Sequence, residues 1–195
     1  MTQMQLLKTA LDPQDVVYTP DWIAADMVQF FQPSGAILEP SKGKGVFLQY
    51  LPPETEWCEI AEGKDFFAYN KKIDWIIGNP PFKMFYEFME HSYKVANDIV
   101  YLLPADKPFN VFKTVLMIFK HGGIVHARFY GNGSAIGIPE IHRPVTAFHF
   151  RRGYRGAMSF SFAETRLTKR VPDGATRAAQ KGSISGKRSA GTPRR

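Results

Sequence analysis

Short apolar runs bounded by Gly, Pro or charged residues alternate along this chain with longer stretches whose apolar positions recur every three or four residues. "GAILEP" (35–40), "EWCEI" (56–60), "IDWIIGN" (73–79) and "DIVYLLP" (98–104) read as buried strands. "PDWIAADMVQFFQ" (20–32), "FKMFYEFMEHSYKVAN" (82–97) and "NVFKTVLMIFKHG" (110–122) read as helices. Pro20 suits a first helical turn, and Gly122 with Gly123 is a natural stop. Strand alternating with helix predicts an α/β fold, a doubly wound, mostly parallel sheet with helices on both faces. After residue 123, "GGIVHARFY" and "RPVTAFHFRRG" read as adjacent strands joined by a Gly-rich connection, giving the sheet an antiparallel C-terminal edge. No internal repeat interrupts this plan.

Charge divides the chain in two. Residues 166–195 hold nine Lys/Arg against one acid, Asp173, while the preceding 165 residues hold 16 basic and 17 acidic residues. The whole net charge of +7 therefore comes from the tail. The tail is rich in Gly, Ser, Ala and charge and has no hydrophobic period, so it cannot bury enough to repay its ordering entropy. The expected organisation is a folded domain over 1–165 and a basic, disordered tail over 166–195. No apolar run is long enough to span a bilayer, and the N-terminus lacks a basic region followed by an apolar core, so a soluble, cytoplasmic protein is expected. The single cysteine, Cys58, excludes an intramolecular disulfide and a Cys-rich zinc site and reads as packing. Five histidines show no metal-ligand spacing, and no metal is implied.

In open α/β sheets ligands bind beyond the carboxyl ends of the strands, where the first strand turns into its helix. Here that turn is "LEPSKGKGVF" (38–47). Gly43 and Gly45 permit a tight turn and close backbone approach, and Glu39 sits where a strand-end carboxylate can meet a cation. An ordinary strand-to-helix loop is the plain alternative. Glu59, at the end of the next strand, lies about 20 positions beyond the start of the turn, the spacing of an acid that takes ribose hydroxyls. Asp65 in "GKDFF" could accept from an adenine amino group beside Phe66; the plain alternative is a solvated acid among core phenylalanines.

The combination of "LEPSKGKGVF", Glu59, "KDF" and "GNPPF" (78–82) resembles the N6-adenine DNA methyltransferases that use S-adenosylmethionine, in particular the group whose cofactor motif precedes the catalytic one. The similarity spans about residues 17–105, and "YTPDWIAADMV" resembles that group's leading motif. It implies a seven-stranded Rossmann-like methyltransferase sheet. It also implies that Thr19 contacts the methionine carboxylate, Glu39 faces the methionine ammonium across the Pro40–Gly45 turn, Glu59 takes the ribose, and Asp65 with Phe66 holds the adenine. Lys42 departs from the small residue common at that loop position.

The Asn-Pro-Pro-Phe corner has its own chemical logic. An exocyclic amine on an aromatic ring is a poor nucleophile because its lone pair is delocalised. Two acceptors placed out of the ring plane pull the nitrogen towards tetrahedral geometry. Asn79 offers a side-chain carbonyl and Pro80 a backbone carbonyl, and the fixed φ of Pro80 and Pro81 holds them in place beforehand. Phe82 offers a ring face for the target base. A base inside a duplex must be flipped out to reach such a corner. Pro81 and residues of two later loops, Lys107, Phe109, His142 and Arg143, are candidates for contact with the flipped nucleotide or its phosphates.

The expected partners are DNA, with RNA as the rival substrate, engaged through the active-site face and the basic tail, and no membrane. No recognition domain follows the catalytic motifs, so low specificity or a specificity partner protein is expected, in a bacterial or phage setting of restriction-modification type. Two rivals stand beside DNA adenine methylation: an RNA adenine-N6 or guanine-N2 methyltransferase, and a catalytically silent nucleic-acid-binding or inhibitory module.

Overall fold

A computed structural model describes residues 17–164; the basic tail and the first 16 residues lie outside the described part. Seven strands form one sheet: β1 (Ile37–Glu39), β2 (Glu56–Trp57), β3 (Ile73–Gly78), β4 (Ala96–Pro104), β5 (Gly122–Asn132), β6 (Pro144–Arg152) and β7 (Ser159–Phe162). Their spatial order is β2-β1-β3-β4-β6-β5-β7. β1 to β4 run parallel, β6 is antiparallel to both β4 and β5, and β7 runs parallel to β5. Among the described residues the helices are α1 (Asp21–Phe31), α2 (Phe85–Val95), α3 (Phe112–His121) and the single turn α4 (Gly133–Ile136).

The period of two in the central strands sorts the core into two faces. Ile76, Ile99, Tyr101 and Leu103 join Phe85, Phe88 and Met89 of α2 and Met117 and Ile118 of α3 on one side. Ile77, Val100 and Leu102 join Ile23, Ala24 and Met27 of α1 on the other. Each of the Ile, Leu, Val, Met and Phe side chains contributes about 1.5–3 kcal/mol when fully buried, and this packing rather than capping fixes α1, whose N-cap is Pro20 with no side-chain capping bond. One polar network adds to it. Asp26 of α1 accepts from Arg128 Nε at 2.6 Å, Arg128 Nη2 at 2.7 Å and Tyr130 Oη at 2.7 Å, tying the helix to β5.

Two features differ from the sequence reading. The helix expected after the glycine turn does not form. The chain makes only a 3₁₀ turn at Phe47–Gln49, because Pro52 and Pro53 follow within a few residues and disfavour helical backbone before them. The connection instead buries Phe47 and Leu51 against α1. β7, which the sequence reading did not identify, extends the sheet beyond β5.

Candidate active site

β1 and β3 are parallel neighbours, so their carboxyl ends deliver Glu39 and Asn79 to the same edge of the sheet. Gly78 makes this approach possible: a Cβ there would lie 3.2 Å from Pro40 Cδ and 3.7 Å from Glu39 Cγ. Beyond the edge lies a cavity of about 300 Å³ whose lining includes Thr19, Glu39, Ser41, Gly43 and Asn79. Pro40 is buried beneath it, against Gly78.

Glu39 is 1% exposed, and its Oε2 has no hydrogen-bond partner. Burial pushes the carboxyl up to about 8; Lys42 nearby lowers it and Glu59 raises it further. A buried carboxylate without a donor is costly. A cation entering the cavity would remove that cost, so the site fits a ligand carrying an ammonium group. The lysines of the loop do not take that place. Lys42 pairs with Glu62 at 2.5 Å and lies over the Trp57 ring, and Lys44 lies over the Tyr18 ring.

Asn79 is held from two sides. Its Nδ2 donates to the Val17 carbonyl at 3.1 Å, and its own backbone carbonyl accepts from Ser41 Oγ at 3.0 Å. A carbonyl can only accept, so the Val17 contact fixes which way the amide faces. Asn79 Oδ1 is left buried without a partner. The two unpartnered acceptors, Glu39 Oε2 and Asn79 Oδ1, thus belong to side chains lining one cavity. Val17 and Ser41 escaped the sequence reading because they act through a backbone carbonyl and a single hydroxyl, neither of which leaves a pattern. Pro80 is buried, Pro81 opens the 3₁₀ turn Phe82–Met84, and half-buried Phe82 packs against both core clusters at the edge where they meet.

Gly43 and Gly45 have φ of 53° and 75°, a region costly for other residues. Glu59 lies two residues beyond β2 and anchors the turn: its carboxylate accepts from the Gly43 N–H at 2.7 Å and the Ala61 N–H at 3.1 Å. A carboxylate offers about four acceptor sites, so room remains for hydroxyl donors.

Asp65 and Phe66 stand apart from this cavity. Asp65 accepts from the Phe67 N–H at 2.8 Å and borders a separate hollow of about 550 Å³ on the outer side of β2, with Trp57, Lys64 and Tyr69. Phe66, expected to cover an adenine, is wholly buried and packs on Phe88 and His91. This corrects the sequence reading: a Phe inside an aromatic core cluster presents no face to a ligand.

The other candidates gather at the ends of β4 and β6. Arg143 pairs with Asp106 at 2.8 Å, and Ala105 N–H donates to the Pro144 carbonyl at 2.9 Å. Lys107 lies beside them; burial and then Arg143 push its ammonium below the usual range. Phe109 is 52% exposed and edges onto Phe148. His142 is exposed, and its backbone carbonyl accepts from Asn132 Nδ2 at 3.2 Å. Among the described residues no group of His, Cys, Asp and Glu could hold a metal ion, and no helix is long and apolar enough to cross a membrane.

No protein-family model matches the sequence, and no curated protein matches it either. Solved structures do match. The modification subunit of a provisionally assigned type I restriction enzyme from Vibrio vulnificus has a TM-score of 0.55 at 12% identity, over 83% of this chain and 50% of that one. A provisionally assigned class I S-adenosylmethionine-dependent methyltransferase from Listeria monocytogenes has 0.56 at 14%, over 91% and 74%. A provisionally assigned RNA methyltransferase from Pyrococcus horikoshii has 0.51 at 15%, over 70% and 87%. The chain therefore spans about half the length of the type I modification subunit. What these likenesses establish is the architecture: a seven-stranded mixed sheet with flanking helices, the Rossmann-like fold of methyltransferases.

Proposed function

We propose that this chain is an S-adenosylmethionine-dependent methyltransferase that methylates N6 of a flipped-out adenine in DNA. One observation carries the reading. Two buried acceptors without donors, Glu39 Oε2 and Asn79 Oδ1, belong to side chains lining one cavity at the carboxyl edge of the sheet. An unmet buried acceptor costs about 1–3 kcal/mol. Two of them at one site fit a ligand ammonium on one side and a target amine on the other.

The cofactor supplies an electrophilic methyl group when bound. Glu39 would take its ammonium, Thr19 its carboxylate at the opening of α1, and Glu59 its ribose hydroxyls beside the Gly43–Gly45 turn. Asn79 Oδ1 and the Pro80 carbonyl would accept from the two N–H groups of the target amine, improving as the nitrogen becomes tetrahedral. No strong base is required, because methylation itself makes the amine proton acidic. Pro81 and Phe82 would hold the base, and Lys107, Phe109, His142 and Arg143 would meet the flipped nucleotide. A specificity partner and the basic tail complete the proposal, the tail neutralising phosphates without reading sequence.

The test is methyl transfer from labelled cofactor to unmethylated duplex DNA, single-stranded DNA and RNA side by side, with nucleoside analysis. N6-methyladenine in DNA is expected. Label in RNA alone would replace DNA by RNA as substrate. Cofactor binding without label in any of them would leave a binding module.

A further inference from the structure

The sheet is not covered equally on its two faces at β7. In β7, Phe160 and Phe162 pair in register with Ala127 and Phe129 of β5, so all four side chains share the face that α2 and α3 cover. Ser159 and Ser161 point the other way and are fully engaged: they flank His126 at 2.7 and 2.8 Å, beneath Phe30 of α1. Phe160 and Phe162, by contrast, are 63% and 64% exposed. α3 adds to the bare side. Its inner residues Thr114, Met117 and Ile118 are buried, while Phe112, Val115, Leu116 and Phe119, at i, i+3, i+4 and i+7, lie outward, the two phenylalanines at 75% and 68% exposure. Arg155, in the connection from β6 to β7, donates to the Gly122 carbonyl and lies over the Phe119 ring.

Phe112 and Phe119 alone expose roughly 300 Å² of apolar surface, at about 200 Å² for a whole aromatic residue, which already reaches the size of the largest patches on monomers. Val115 and Leu116, 36% and 49% exposed, enlarge it along the same stripe.

Charge says what covers this face. From Lys107 to Ala163 the chain holds eight Lys/Arg and one acid, Glu140. Arg128, Arg143 and Arg151 are spent on Asp26, Asp106 and Asp98. Lys113, Lys120 and Arg155, which border the apolar face, pair with no carboxylate among the described residues; Lys113 and Arg155 lie over aromatic rings instead. A second copy of this chain would set those cations against themselves.

We propose that the face formed by Phe112, Val115, Leu116 and Phe119 of α3 docks an amphipathic helix of a partner protein whose apolar stripe is rimmed by Asp and Glu. The aliphatic members and the helical spacing match a helix laid against a helix, the packing of side-chain ridges into grooves. The proposal does not depend on methyl transfer.

The test uses the full chain and a labelled helical peptide of about 18 residues with Leu and Phe at i, i+3, i+4 and i+7 and Glu on both flanks, and a second peptide with Lys in place of Glu, at about 0.15 M salt. By fluorescence anisotropy the Glu peptide binds at least about tenfold more tightly than the Lys peptide, and Phe112→Ser with Phe119→Ser weakens it about tenfold or more. The same double variant leaves the melting temperature within about 2 °C, as expected for uncovered surface. Equal binding of the two peptides, or binding that survives the double variant, overturns the proposal. A melting temperature lowered by several degrees assigns the face to the chain itself or to a second copy, and a selective loss of single-stranded DNA binding makes it a nucleic-acid platform; either result overturns it too.

Discussion

Replacing Glu39 by Gln separates the stability of the empty site from its use. Burial moves the Glu39 carboxyl from 4.5 to about 8. Between those values the folded chain keeps a proton that the unfolded chain releases, so the folded state binds more protons and stability falls as pH rises across the window. The effect is absent below about pH 4.5, grows through neutrality and levels off above about pH 8. At about 1.4 kcal/mol per pKa unit its full size is at most about 5 kcal/mol. Glu39→Gln removes the ionisation, while its buried amide contributes an offset that does not change with pH. The variant therefore gains on the wild type between about pH 5 and pH 8.5, by up to about 10 °C in melting temperature for a chain of this size. The assay is thermal unfolding of both proteins across that pH range without cofactor. The same variant loses cofactor affinity, because it no longer offers a negative charge to the ammonium. In the wild type, calorimetric titration with S-adenosylhomocysteine at about pH 7 in buffers of differing ionisation enthalpy should show release of nearly one proton, as the bound cation ionises Glu39. Melting curves of the two proteins that run parallel from pH 5 to 8.5 would refute the reasoning.

Asp26→Asn, which weakens the bonds from Arg128 and Tyr130 and leaves the Arg128 charge unmatched, should destabilise the chain by about 1–3 kcal/mol in denaturant titration, with α1 and the preceding Thr19 loosened. Gly78→Ala puts a methyl group 3.2 Å from Pro40 Cδ and displaces Glu39; cofactor affinity should fall about tenfold or more while the chain stays folded by circular dichroism. Glu59→Ala frees the Gly43 N–H and should lower cofactor affinity in a binding titration, a loss that a silent module with no use for cofactor would tolerate without functional consequence. Removing residues 166–195 should weaken nucleic-acid binding and flatten its dependence on salt, since nine of the chain's 25 Lys/Arg are lost; an unchanged salt slope would remove the tail from the mechanism.

The central strands were legible because each is a short apolar run with punctuation at both ends, and β3 ends where the two prolines of the corner begin. Glu39 and Asn79 were legible for a related reason: in a parallel sheet, residues at carboxyl ends of neighbouring strands meet at one edge. The partners that aim them were not. Asn79 is oriented by Val17, 62 positions away, and α1 is anchored to Arg128 across 102 positions. Such contacts depend on strand order, which no local pattern encodes. Phe66 and Phe67 show the same limit, since their sequence environment is identical in kind and both meet Phe88 and His91, yet only Phe66 is wholly buried. Two misreadings had signals in the sequence. Pro52 and Pro53 stand too close behind Gly45 for a helix, and "SFSF" has the period of a strand, though at four residues it is short and sits beside the basic tail.

The most direct test of the central claim is to measure cofactor binding and methyl transfer to DNA on the same preparation of Asn79→Ala. Asn79 lines the cavity with Glu39, but its unpartnered Oδ1 is assigned to the target amine and not to the cofactor. The account predicts S-adenosylmethionine affinity within about twofold of wild type and turnover reduced by roughly 10²–10³. Wild-type turnover by Asn79→Ala would contradict it.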